Sequence, residues 1–171
     1  MQIFQGRLAT LFGAIMFVAL FPAIVSAEPV GGLPELNHMG EQMLISQGHT
    51  AADLVQKIPS AETVGVAVFP GSLYTGEIEG SGMMPSVVLA SGEPLEKVKE
   101  WYEKQPDFSY EESFKLFYLG DEYVMMESES VYLQDISENP ETSAGGLMFN
   151  MADMKTQITI SYKPKKSMNN E

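Results

Sequence analysis

A chain of 171 residues with a formal net charge of −13 and no cysteine has the length for one domain with its own core, and it excludes disulfides, thiol catalysis and thiolate metal sites together. Its single arginine is Arg7. Beyond that residue the chain therefore lacks the guanidinium forks and basic patches on which nucleic-acid, phosphate and anionic-lipid binding depend.

Residues 1–27 read as a cleavable signal peptide. MQIFQGR carries Arg7, Leu8 to Val25 is an apolar run broken by Gly13 and Pro22, and Val25-Ser26-Ala27 supplies a small-residue cleavage site ahead of Glu28. Cleavage after Ala27 leaves 171 − 27 = 144 residues, with 9 Lys against 23 Asp and Glu, a charge of −14. No second stretch approaches membrane length, so no stable membrane insertion is expected after cleavage. The expected destination is the periplasm or the exterior of the cell, and the absence of any Asn-x-Ser/Thr sequon is compatible with a bacterial envelope.

Residues 28–48 begin with Pro and Gly and predict a flexible lead-in, with one helical turn near Glu41–Ser46. The folded domain is expected over 49–163. Thr50 and Asp53 have the spacing of a capping box and open a short helix that Pro59 stops. VGVAVF (Val64–Phe69) predicts a buried strand ended by Pro70-Gly71, LYTGEIE (Leu73–Glu79) a weaker one, and SVVLA (Ser86–Ala90) another. Ser91 caps a helix expected over Glu93–Lys104, with Leu95, Val98, Trp101 and Tyr102 on its apolar face and Pro106 beyond its end. SFKLFYL (Ser113–Leu119) and EYVMMES (Glu122–Ser128) predict a tight hairpin across Gly120-Asp121, continued by VYLQDI (Val131–Ile136). LMFNM (Leu147–Met151) and TQITISY (Thr156–Tyr162) predict a final hairpin, and 164–171 a frayed tail. The sum is an α+β domain, one main helix packed on a mostly antiparallel sheet with a short N-terminal helix.

VFPGS (Val68–Ser72), followed by a Gly-rich break and SVVLASGEPLEKVKEWYEK (Ser86–Lys104), resembles a loose group of uncharacterised exported bacterial proteins. These share a Pro-Gly turn and a helix start of the form [ST]-x-[DE]-P-x-[DE]-K-V-x-x-[WFY]-Y, matched here by Ser91, Glu93, Pro94, Glu96, Lys97, Val98, Trp101 and Tyr102. The resemblance covers about 40 residues and implies a fold, since each matched position caps, starts or packs a helix. It implies no catalytic residue.

Chemistry-bearing patterns are sparse. Nucleophilic catalysis needs a base, and only His38 and His49 exist, neither in a Gly-x-Ser-x-Gly frame. The carboxylate sets Glu111/Glu112, Asp121/Glu122 and Glu127/Glu129 would serve a hydrolase only across a cleft, and the acidic loop Asp135–Glu141 lacks the pattern of a calcium-binding loop. Met148, Met151 and Met154, with His38, Met39 and Met43 as further donors, have the spacing of a thioether site selective for Cu(I). On a strand these sulfurs alternate between faces, and methionines also serve as core filler. No cofactor motif is present. The expected function is an exported non-enzymatic module that binds an envelope protein or a small ligand through its sheet or the groove beside its helix; copper handling and an unrecognised envelope hydrolase are the alternatives.

Overall fold

The computed structural model describes residues 29–80, 83–142 and 145–164, so the expected signal peptide and most of the expected tail lie outside the described residues. The chain is α+β. Three helices come first, α1 (His38–Ser46), α2 (Ala51–Val55) and α3 (Ala61–Val64), then strands β1 (Leu73–Ile78) and β2 (Ser86–Ser91). Helix α4 (Leu95–Glu103) leads to β3 (Phe108–Glu111), β4 (Leu116–Leu119), β5 (Ser130–Asp135), a 3-10 turn at Pro140–Thr142 and β6 (Thr156–Ser161). The strands form one sheet in the order β1-β2-β6-β5-β4-β3, with every pairing antiparallel. The last strand in sequence lies between β2 and β5.

One face of the sheet carries the main core. Val87 and Leu89 of β2, Ile158 and Ile160 of β6, Val131 of β5 and Phe117 of β4 pack against Val98 and Tyr102 of α4 and against Ile58, Val64, Val66 and Phe69. Val98 and Tyr102 are fully buried, and together they stabilise the helix–sheet contact by about 4 kcal/mol. The Tyr102 hydroxyl donates to the Ala67 carbonyl at 3.2 Å, and burial raises its pKa above the ordinary phenol value. The solvent face of α4 is laced by Glu93–Lys97 and Glu100–Lys104 pairs at 2.8 and 2.7 Å.

Several elements differ from expectation. The main helix starts at Leu95, with Pro94 extended at its N-cap; Ser91 instead accepts from the Glu93 N–H at 3.1 Å, because the strand runs one residue too far for it to cap. Val64–Phe69 is no strand: Val64 closes α3, Gly65 takes the left-handed conformation at φ 64°, and Val66 and Phe69 fill the core from irregular backbone. Leu147–Met151 is a turn with one isolated bridge, Leu36 to Phe149. The expected Gly120-Asp121 hairpin is a longer loop, since β5 starts at Ser130 and Glu122–Ser128 is not a strand. The lead-in 28–48, expected to be loose, has Val30 at 1% exposure in the main core and holds a helix as long as α4, of 9 residues each. Asn37 ties it down, accepting from Gly40 N–H and donating to the carbonyls of Gly146 and Phe149 at 3.2 and 3.1 Å.

Candidate functional site

The second face of the sheet is divided. At the Ser91–Thr156–Asp135 end, a smaller core of Ala90, Ile136, Phe149 and Met151 covers it, with Leu36, Leu54, Met148 and Met154 packed around. At the opposite end no second core covers it, and its short side chains are buried or half-buried between flanking loops. There the register places Ser86, Ser161 and Ser130 side by side on adjacent strands, with Ile78 beyond Ser86 and Tyr118 beyond Ser130. The Ser86 and Ser161 hydroxyls are 2.8 Å apart and share a hydrogen bond. Three short side chains in a row keep the sheet surface low, and the loops on either side rise above it.

Those loops are rich in methionine. The β1–β2 connection supplies Met83 and Met84, and the β4–β5 connection supplies Tyr123, Met125 and Met126. With Ile78, Leu116 and Tyr132 they line a groove of about 250 Å³ over the serine bed. Met125 and Met126 are 55% and 61% exposed. The loop holds this shape through its own bonds: the Ser128 hydroxyl accepts from Val124 N–H at 2.8 Å, and the N–H groups of Glu127 and Ser128 donate to the Val124 carbonyl. Met126 sits at φ 65°, a left-handed conformation that is uncommon for a residue with a side chain and costs of order 1 kcal/mol. Tyr123 is braced by Phe114 and Tyr118, with ring centroids 5.4 and 5.7 Å away. The exposed sulfurs are thus presented by an ordered loop.

The surroundings are acidic. The loop 121–128, which supplies Tyr123, Met125, Met126 and Ser128 to the lining, carries Asp121, Glu122 and Glu127 and no lysine.

A hollow of about 420 Å³ beside α4 is larger. Its rim, however, is neutral, because Glu93, Lys97, Glu100 and Lys104 pair with one another, and its Trp101 is engaged edge-on with Phe69, centroids 5.6 Å apart. A third hollow, about 290 Å³, is lined by Gln134, Asp135, Ile136, Glu138 and Asn139. Asp135 there accepts from the Ser137 hydroxyl and N–H at 2.6 and 2.9 Å, which lower its pKa. Among the described residues no group of three or more His, Asp or Glu side chains is placed to hold a metal ion.

The expected copper ligands occupy a different environment from the groove. Met151 is 2% exposed inside the smaller core, and Met148 and Met154 pack on its edge. Of the additional donors, Met39 shares a hollow of about 300 Å³ with Met151 and Glu141; His38 and Met43 do not line it. His49 lies 3.9 Å from Asp53 on an exposed surface, and neither histidine has a hydroxyl partner among the hydrogen bonds of the described residues. Along the sequence the groove methionines do not form a set, because the two Met-Met pairs lie more than 40 positions apart; each pair is the only linear signal of the groove. No helix among the described residues is long and apolar enough to cross a membrane. No family model, curated protein or solved structure matches the chain.

Proposed function

We propose that this is an exported, non-enzymatic binding module whose docking site is the methionine-lined groove on the end of the sheet opposite the smaller core. The observation that carries the reading is the pairing of a low serine bed with flanking methionines, of which Met83, Met125 and Met126 are exposed. Methionine is flexible and polarisable, and surfaces built from it adapt to apolar partners of differing shape. Export is supported by the apolar run Leu8–Val25 and the Val25-Ser26-Ala27 site behind it. The test is a fluorescence titration with Nile red, a neutral apolar dye. The protein is expected to enhance its emission, and Ser161→Phe, which fills the half-buried bed, to abolish the enhancement while keeping a cooperative thermal transition. Equal enhancement by the variant removes the site.

A second reading draws on the same four sulfurs. Met83, Met84, Met125 and Met126 line one groove and are accessible, whereas Met148, Met151 and Met154 pack in or against a core. Thioethers select Cu(I). A Cu(I) titration under reducing conditions decides it: binding lost in Met125→Leu with Met126→Leu, and retained in Met148→Leu with Met154→Leu, places copper at the groove.

A further inference from the structure

The groove's volume and its charge together narrow what it accepts, and this step rests on the proposal that the groove is a docking site. At about 250 Å³ it falls below the usual range of small-molecule pockets, roughly 300–1,000 Å³, and it is open along the sheet surface. That size suits a single large apolar side chain better than a small molecule that must bury most of its own area. The lining loop 121–128 adds the carboxylates of Asp121, Glu122 and Glu127 and no cation, and the nearest lysines along the chain are Lys115, which precedes Leu116, and Lys163, two residues past Ser161.

We propose that the groove docks a cationic amphiphilic segment of another protein, seating one bulky apolar side chain among Met83, Met84, Met125 and Met126 and setting Lys or Arg side chains against the surrounding carboxylates. Methionine sulfur and methyl groups follow the shape of the inserted side chain. The carboxylates steer the segment in and reject acidic competitors. A second copy of this chain is a poor occupant, since pairing through the same face places like charges opposite each other in a chain of net charge −13. An anionic lipid surface is repelled for the same reason.

The experiment uses calorimetric titration of the protein with four synthetic peptides of one length and one Trp each: Leu/Lys, Leu/Glu, Leu/Ser and Ser/Lys. The Leu/Lys peptide is expected to bind best, and its affinity to fall about tenfold when salt is raised well above the physiological range. Glu122→Gln with Glu127→Gln is expected to weaken it several-fold and flatten the salt dependence. Ser161→Phe is expected to remove binding altogether. Ser/Lys binding as tight as Leu/Lys means that bulk charge alone attracts the peptide, and overturns the inference. Equal binding of Leu/Ser and Leu/Lys, both lost in Ser161→Phe, also overturns it while leaving the docking groove in place. No binding of any Leu peptide sinks both.

Discussion

Glu77 is the residue whose ionisation the fold resists. In register it stands opposite Val87, on the face that carries Tyr74 opposite Leu89, so its carboxyl reaches toward the phenols of Tyr74 and Tyr162 at the rim of the main core. Burial first, and the Glu79 charge second, raise its pKa. Burial and the charges of Glu77 and Glu79 in turn raise Tyr162, and Tyr74 is pushed up to about 12 by burial, then by Glu77. The sign for stability is the same for each group. A folded-state pKa above the unfolded one means that the native protein binds the proton more tightly, so stability is full below the unfolded pKa and falls as pH rises through the folded pKa. For Glu77 the loss begins at the ordinary glutamate value of 4.5. Glu77→Gln is therefore expected to stabilise the protein at neutral pH and to change nothing at pH values below the carboxylate range. The side chain is more exposed than buried, so the gain is a few tenths of a kcal/mol after solvent screening. Urea unfolding at the two pH values checks it, and destabilisation at neutral pH counts against the assigned cause.

Helix α1 shows how packing overrides propensity. Gly40 lies in its first turn, and a Cβ built there would come within 2.8 Å of the Met148 carbonyl carbon and 2.9 Å of its Cα. The helix start is zipped to that turn by Asn37 N–H to Met148 O at 2.9 Å and Asn150 N–H to Glu35 O at 2.7 Å. Alanine would gain about 1 kcal/mol of helix propensity, yet backbone has to move to admit it, and overpacking costs roughly 1–3 kcal/mol. Gly40→Ala is expected to destabilise by about 1–2 kcal/mol in denaturant unfolding. A stabilised variant would mean that α1 does not dock on Met148. Such docking is invisible in a linear reading, where Pro and Gly at 29–34 signal a loose lead-in. What a linear reading does recover is regular periodicity: Val98, Trp101 and Tyr102 announce α4, and SVVLAS and TQITIS announce β2 and β6. It fails where two conformations bury the same residues. The apolar run Val64–Phe69 fits a strand, but Gly65 turns left-handed and the run enters the core as irregular chain. Tyr123–Ser128, with its apolar run Tyr-Val-Met-Met, reads as a strand too, yet its Ser128 hydroxyl captures the Val124 N–H and curls it into the groove wall. The groove itself needs Ser86, Ser130 and Ser161 in one row, a register that only the assembled sheet defines.

The position of β6 governs how the molecule as a whole is held together. The chain lays down β1 and β2, crosses over through α4, and builds β3, β4 and β5 from the far edge inward. Up to Lys155 it therefore consists of two separate strand groups, β1-β2 and β3-β4-β5, with an unpaired seam between Val88 and Tyr132. Thr156–Ser161 closes that seam, pairing with six residues on each side. It also inserts Ile158 and Ile160, both without solvent exposure, whose removal to Ala costs about 2–5 kcal/mol each. Against a total stability of roughly 5–15 kcal/mol, the loss of both side chains and two ladders outweighs the contacts that α4 keeps with Phe108 and Phe117. A chain ending at Lys155 is expected to show no cooperative unfolding transition by circular dichroism. It would also lack one third of the serine bed, so no groove ligand should rescue it. The same geometry leaves the β2–β6 contacts, some 70 residues apart, to be made last, since closing so long a loop is rewarded only once both strand groups exist. Ile158→Val is thus expected to change the unfolding rate more than the refolding rate, because the seam closes after the two strand groups have formed. Stopped-flow chevrons measure that division, and a mainly slowed refolding arm would place β6 in the nucleus instead.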